Sequence, residues 1–196
     1  MKYLKKFQYN APVVLTFALV SLIVLMIGNL TDGESTLKFF CVYRSSLLNP
    51  LTYIRLFTHV LGHADLTHYT NNMLLLLLVG PMLEEKYGSK LMLQMILITA
   101  IVTGIIHNIF FPTTGLLGAS GIVFMMILLA SMASAKEGRV PLTLVVTLII
   151  YLGQEIVEGL FTKDNISQLT HIIGGVCGVI FGRLHLSHSK QKSSLQ

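Results

Sequence analysis

Residues 91–106 read LMLQMILITAIVTGII and contain no charged side chain. Extended to Lys90 and Phe111, this apolar stretch is long enough to cross a bilayer as a helix, which takes about 20 residues. Other apolar runs recur on both sides of it, and their residues are continuous instead of alternating with polar ones. The chain is therefore predicted to be an all-α polytopic membrane protein.

The composition supports the same class. Of the 196 residues, 53% are hydrophobic and only 12% are charged, and the mean hydropathy is +0.72. A soluble domain of this size needs more charge to cover its surface. The formal net charge of +5 does not predict a nucleic-acid partner, because the basic residues lie between apolar runs and form no patch interleaved with aromatics.

The apolar runs predict a bundle of six transmembrane helices. The predicted spans cover residues 11–30, 68–82, 90–111, 120–135, 141–161 and 168–186. The first run is interpreted as a retained span, since it is long and lacks an obvious small-residue cleavage site. The core at residues 11–186 then follows a basic N-terminal segment, residues 1–10, and precedes a polar tail, residues 187–196. The loop at residues 31–67 is long enough to suggest a function.

The distribution of Lys and Arg predicts that both termini are cytoplasmic. With that orientation the inner ends of the spans hold ten basic residues: Lys2, Lys5, Lys6, Lys86, Lys90, Lys136, Arg139, Arg183, Lys190 and Lys192. The outer ends hold four: Lys38, Arg44, Arg55 and Lys163. An excess of basic residues on the cytoplasmic side is the usual arrangement. The predicted location is a bacterial plasma membrane, with the loop at residues 31–67 facing outward.

Four polar residues stand out because polar groups in membrane segments are costly and are usually functional. His68, Ser120 and His171 each lie near the start of a predicted span that runs inward, so all three are expected at a similar depth below the outer surface. Asn72 follows His68 by four residues and shares its helix face, one turn deeper. The spans thus bring sequence-distant polar residues to one level.

These residue types suit covalent catalysis. Ser120 lies among small residues, Gly118 to Gly121, at the start of an apolar helix whose free N–H groups favour a developing oxyanion. A serine hydroxyl needs a base to take its proton, and His171 is at matching depth on another helix. Gly174 and the glycines four and eight residues after it indicate close helix packing along the same stripe. His68 and Asn72 supply side-chain N–H donors.

Each feature alone has a simpler structural explanation. A short Gly-x-Ser-Gly motif is usually a packing feature, a glycine stripe usually means helix contact, and a histidine near a membrane boundary is usually a hydrogen-bonded boundary residue. The hypothesis of a catalytic site depends on their conjunction at one depth on three helices.

Taken together, these motifs resemble those of the rhomboid family of intramembrane serine proteases. The matching segments are residues 63–72 (HADLTHYTNN), 118–121 (GASG) and 171–178 (HIIGGVCG), together with Arg55, Glu84 and Gly88. The resemblance extends over nearly the whole chain, residues 11–186. It implies a six-helix core with a water-filled cavity that opens outward, and a first loop that forms a hairpin in the outer leaflet.

The resemblance also implies a mechanism. Ser120 and His171 would form a dyad without a third acid, and His68, Asn72 and the backbone N–H of Ser120 would hold the oxyanion beside Gly118. The substrates would be single-span membrane proteins cut near the outer face of the bilayer, with no metal or cofactor. Residues 154–163 would contribute the substrate gate and a cap.

Two positions depart from the family pattern. Phe124 occupies a position where many bacterial members have tyrosine, so its ring can stack on His171 but offers no hydroxyl. The aromatic–arginine pair typical of the first loop appears here as Ile54 and Arg55, which leaves the anchoring aromatic unidentified.

Two other classes of function remain open at this level. A metal or proton transporter is suggested by the histidines His59, His63, His68 and His107, since imidazoles bind zinc well, although only Asp65 accompanies them. An inactive rhomboid-like binding protein is the other, but such a protein should lack the serine or the histidine. A disulfide between Cys41 and Cys177 is not expected, because one lies in a loop and the other deep in a span.

Overall fold

The computed structural model describes residues 9–134 and 165–193, and between them only Leu142, Val145, Val146, Ile149, Ile150 and Gly153. The helices are α1 (Pro12–Leu30), α2 (Glu34–Phe39), α3 (Pro50–Thr58, followed by a 3₁₀ turn at His59–Leu61), α4 (Leu66–Tyr87), α5 (Ser89–Phe110), α6 (Ser120–Ser134) and α7 (Asn165–Ser193). Beyond the helices, an isolated antiparallel bridge joins Val42 to Leu116. The all-α prediction is confirmed for this part of the chain.

Two helices extend beyond the spans predicted for them. The second span was expected to end at Pro81 and the charged residues after it, but α4 includes Pro81 and continues to Tyr87. It ends where Gly88 takes a φ of 81°, a conformation that suits glycine, and donates its N–H to the carbonyl of Glu84. The last helix, α7, also continues past residue 186 to Ser193, so most of the predicted polar tail is helical.

α4 tolerates an acidic residue near its end because Glu84 caps another helix. Its two carboxylate oxygens accept the backbone N–H groups of Val13 and Val14, each at 2.9 Å, and its side chain is only 3% exposed. First-turn N–H groups have no partner within their own helix, and α1 has no side-chain cap from Ala11. A carboxylate at this helix N-terminus satisfies both groups and complements the helix dipole.

Replacing Glu84 by glutamine is expected to lower the free energy of unfolding by about 2 kcal/mol, since a buried charged acceptor is lost and an amide N–H2 faces a backbone donor. Thermal or denaturant unfolding in detergent micelles measures the change. Glu85→Gln is the matched control, because Glu85 is exposed on the same helix turn and should change stability by less than about 0.5 kcal/mol. Equal losses in the two variants would contradict the capping role.

The contacts between helices define their directions. Along α6 and α7 the contacting residues advance together: Gly174 meets Gly121, Gly178 meets Met125, and Gly182 meets Met132. These two helices therefore run parallel. α1 and α4 run antiparallel, since the N-terminal Val14 packs on the late Gly80 while Tyr69 donates to the carbonyl of Ala18.

Two of the helices, α1 and α5, are long and apolar enough to cross a bilayer, with mean hydropathies of 2.5 and 1.9. Among the other helices, α6 is apolar over its 15 described residues, and the first turns of α4 carry polar residues around His68 and Asn72. The core helix of a soluble protein can meet the same criterion, so these two helices do not establish six spans. The predicted fifth span, residues 141–161, lies mostly outside the described residues.

The long loop at residues 31–67 is anchored by Arg55. Its guanidinium lies over the ring of Tyr43 at 4.2 Å, and its Nε donates to the carbonyl of Lys38 at 2.8 Å. A second guanidinium nitrogen donates to the hydroxyl of Ser45 at 3.3 Å, and the side chain is 3% exposed. Tyr43 therefore supplies the aromatic partner that Ile54 does not.

Candidate active site

Ser120 is the first residue of α6 and is half-buried. The segment before it is held on two sides, by the loop at residues 31–67 and by the turn after α3. Val42 and Leu116 exchange two backbone hydrogen bonds of 2.9 Å, and the N–H of Gly118 donates to the carbonyl of His59 at 3.0 Å. Two backbone attachments within four residues therefore fix the approach to Ser120.

His171 lies in α7 and is 2% exposed. Its imidazole stacks on the ring of Phe124, with centroids 4.4 Å apart and planes inclined by 13°. The prediction that Phe124 can stack on His171 is confirmed. Phe124 lies one helical turn after Ser120 on the same helix, so the stacking brings His171 to the N-terminal end of α6.

Glycines allow α6 and α7 to approach closely at this level. A side chain at Gly174 would overlap the carbonyl oxygen of Gly121 and would lie 2.9 Å from its carbonyl carbon. A side chain at Gly121 would lie 3.1 Å from the methyl group of Thr170. Gly121 and Thr170 are the chain neighbours of Ser120 and His171, so both predicted catalytic residues lie at one level of this interface.

His68 lies against Gly118, just before the serine. A side chain at Gly118 would lie 2.7 Å from Nε2 of His68, and Gly118 has a φ of 119°, so both space and backbone conformation require glycine there. The N–H of Ala64 approaches Nδ1 of His68 at 3.5 Å. A ring nitrogen that accepts a hydrogen bond is unprotonated, so this contact favours the tautomer with the proton on Nε2, facing Gly118.

Asn72 is 3% exposed and lies one turn beyond His68 in α4. Its amide nitrogen donates to the carbonyl of His68 at 3.0 Å. An amide carries two N–H groups, so one of them is already used within the helix and one remains for another acceptor. Upstream, Asp65 begins α4 by accepting the N–H of His68 at 2.8 Å, which fixes the position of His68 on the helix.

The histidines proposed for metal binding do not form a ligand set in the described part of the chain. No group of three or more His, Cys, Asp or Glu side chains there could hold a metal ion. Nδ1 of His59 donates to the carbonyl of Arg55, and Nε2 of His107 lies 3.1 Å from the carbonyl of Thr114. Cys41 and Cys177 are both free thiols.

Several supporting contacts were not predicted from the sequence. The bridge between Val42 and Leu116, the bond from Gly118 to His59 and the packing of Thr170 on Gly121 all join residues that are distant along the chain. In the sequence, only the glycines at positions 118 and 121 indicated that another group could pack closely against this segment. The predicted gate and cap, residues 154–163, lie outside the described residues.

Comparison with known proteins identifies the family of this chain. The family model for the rhomboid domain matches residues 50–188, which include Ser120, His171, His68 and Asn72. The chain belongs to the rhomboid family, and it is accordingly a helical membrane protein.

One similar relative is the Rhomboid protease GluP of Bacillus subtilis (strain 168), which is 30% identical over 195 residues. The match covers 94% of this chain but only 37% of the relative. The chain thus spans little more than a third of that protein's length.

Proposed function

We propose that this protein is an intramembrane serine endopeptidase in which Ser120 is the nucleophile and His171 the general base. The observation that carries the proposal is the interface between α6 and α7. There Gly121 packs on Thr170 and Gly174, and the ring of His171 stacks on Phe124, one turn from Ser120. Membership of the rhomboid family supports the same activity.

In the proposed reaction the hydroxyl of Ser120 attacks a substrate carbonyl carbon while a ring nitrogen of His171 takes its proton. The new C–O bond gives a tetrahedral intermediate with a negative oxygen. Its collapse breaks the C–N bond, and His171 returns the proton to the leaving amine. Water then attacks the acyl-enzyme with His171 again as base, which releases the new carboxyl end and restores Ser120.

The oxyanion would be stabilised at the N-terminus of α6. The backbone N–H of Ser120 is a first-turn donor, and the tautomer favoured by Ala64 directs the Nε2 proton of His68 toward Gly118. Asn72 has a second amide N–H available for the same role. No metal or cofactor takes part in this scheme.

We infer that the reaction takes place within the bilayer. Ser120, His68 and His171 each lie near the start of a predicted inward-running span, which supports a depth below the outer surface. We expect cleavage of single-span membrane proteins at that depth, where substrate carbonyls become available once the substrate helix unwinds.

The proposed architecture has six spans and cytoplasmic termini. Because α6 and α7 run parallel, the chain must return to the outer side between Ser134 and Asn165, which supports a further span at residues 141–161. The described residues of that stretch are helical, and its described apolar side chains are exposed, as lipid contact requires: Leu142, Val145, Val146, Ile149 and Ile150. With the excess of basic residues at the inner ends, residues 11–186 form the membrane core between a basic N-terminal segment, residues 1–10, and a cytoplasmic tail, residues 187–196. The membrane is proposed to be the bacterial plasma membrane.

The function is tested with purified protein in liposomes that also contain a tagged single-span substrate. Cleavage should occur, should be unaffected by EDTA, and should be blocked by a serine-directed fluorophosphonate, since the nucleophile is a hydroxyl. Loss of cleavage with EDTA and recovery with zinc would instead support a metal-dependent activity. Metal or proton flux across the liposomes without cleavage would favour the transporter.

A further inference from the structure

His63 is a buried histidine that the proposed mechanism does not use. It lies in the turn just before α4 and is 2% exposed. Its Nδ1 donates to the carbonyl of Leu61 at 3.2 Å, which leaves Nε2 as an unprotonated acceptor. In the part of the chain that the structure describes, this Nε2 is buried and has no hydrogen-bond partner.

The ring of His63 contacts two other rings edge to face. The centroid of His68 is 5.0 Å away at an interplanar angle of 72°, and that of Tyr69 is 5.5 Å away at 84°. Tyr69 is itself held, because its hydroxyl donates to the carbonyl of Ala18 at 3.1 Å. His63 therefore packs on Tyr69, whose position is fixed, and its ring also contacts the ring of His68.

Two neighbours restrict the orientation of the His68 ring. Nε2 and Cε1 of its ring lie against Gly118, while its ring also contacts His63. Aromatic pairs in this geometry are favourable beyond simple burial, and a packed ring restricts the rotamers of the side chain it touches. Without the ring at position 63, the imidazole of His68 would have space to turn away from Gly118.

We propose that His63 is a positioning residue that holds the imidazole of His68 against Gly118 in the oxyanion site. This inference rests on the proposed function, in which His68 donates to the negative oxygen. His63 does not touch the substrate, and it acts only through the orientation of His68. A donor contributes to catalysis only when it is already directed at the position of the oxyanion.

The charge state of His63 suits this role. Burial lowers the pKa of His63 to about 4, and the neighbouring His68 acts in the same direction. The ring is therefore neutral near pH 7. The single ring proton of neutral His63 lies on Nδ1, where it forms the hydrogen bond to the carbonyl of Leu61 that holds His63 in place.

The test compares His63→Ala, His63→Phe, His68→Ala and the double variant His63→Ala/His68→Ala in the liposome assay. His63→Ala should lower kcat about tenfold, which is part of the 10²- to 10³-fold cost of losing an oxyanion donor, and should leave KM within about twofold. His63→Phe should recover most of kcat because it keeps the ring. In the His68→Ala background, His63→Ala should cause no further loss, since two residues that act as a unit are not additive.

The result that overturns the inference is additive loss in the double variant, or a phenylalanine variant no better than the alanine one. His185→Ala serves as the control for loss of a histidine ring distant from Ser120, and it should leave kcat unchanged. Imidazole ¹⁵N spectra of His68 provide a readout that does not depend on cleavage: they should change in His63→Ala and be retained in His63→Phe. If Ser120-dependent cleavage is absent while the spectra behave in this way, the proposed function fails and the positioning of His68 stands. Unchanged spectra in His63→Ala would refute the positioning itself.

Discussion

Replacing Ser120 by alanine is expected to abolish cleavage of a single-span substrate, and replacing His171 by alanine is expected to do the same. Without the hydroxyl there is no acyl-enzyme, and without the imidazole the hydroxyl keeps its proton. In serine proteases, loss of either member of such a unit costs about 10⁶-fold in kcat, which lies below detection for a slow membrane enzyme. The double variant should be no worse than either single one. The measurement is the cleavage rate in liposomes at equal amounts of folded protein.

The chain offers matched controls for both substitutions. Ser131→Ala changes a buried serine on the same helix, and His185→Ala changes a histidine on the same helix as His171 whose ring contacts Tyr87. Both should retain cleavage within about threefold, as expected for substitutions away from the reacting groups. A fluorophosphonate should label the wild-type protein and fail to label either catalytic variant. Cleavage by Ser120→Ala at the wild-type rate would exclude Ser120 as the nucleophile and the proposed mechanism with it.

Replacing Gly174 by alanine is expected to have the second largest effect, a loss of about 10²-fold in cleavage rate. The added methyl group would overlap the backbone of Gly121, lying 3.0 Å from its Cα and closer still to its carbonyl oxygen. Backbone cannot move aside as a side chain can, so α6 and α7 must separate. A displacement of about 1 Å between catalytic groups is enough for a loss of this size. The same overpacking should lower the free energy of unfolding by about 1–3 kcal/mol.

Gly175→Ala is the control for this substitution. The nearest atom to a methyl group there is Cγ of Leu128, at an ordinary contact distance of 3.5 Å. Both variants replace a helical glycine by alanine, which favours the helix by about 1 kcal/mol, so the comparison removes the effect of helix propensity. Gly175→Ala should cleave within about threefold of the wild-type rate and should be at least as stable. If Gly174→Ala matched it, close packing of the two backbones would not be what aligns Ser120 with His171.

Much of the local structure could be predicted from the sequence. The apolar runs at residues 11–30 and 90–111 agree with α1 and α5 to within one residue at each end, and the run at residues 120–135 begins where α6 begins. Such runs depend only on the residues within them, because a helix satisfies its own backbone groups wherever it is placed. The extension of α4 past its predicted span depends instead on a contact with residues that are distant in the sequence. Glu84 stays in that helix because its charge is satisfied by Val13 and Val14, which lie 71 and 70 residues earlier.

The candidate site also has a part that could be predicted from the sequence and a part that could not. The sequence alone singled out Ser120, His171, His68 and Asn72, since polar groups and small residues in apolar helices are conspicuous whatever their surroundings. The resemblance to the rhomboid family also implied that the ring of Phe124 can stack on His171, which the structure confirms.

The three-dimensional arrangement decided how those residues are held. The bond from Gly118 to the carbonyl of His59, the pairing of Val42 with Leu116 and the ring of Tyr43 under Arg55 all involve the loop at residues 31–67. No periodicity indicates such contacts, because they depend on how far each helix is rotated and where the loop crosses the bundle. A pattern along the chain reports which face of a helix is apolar, whereas only the packed structure determines which distant atom that face meets.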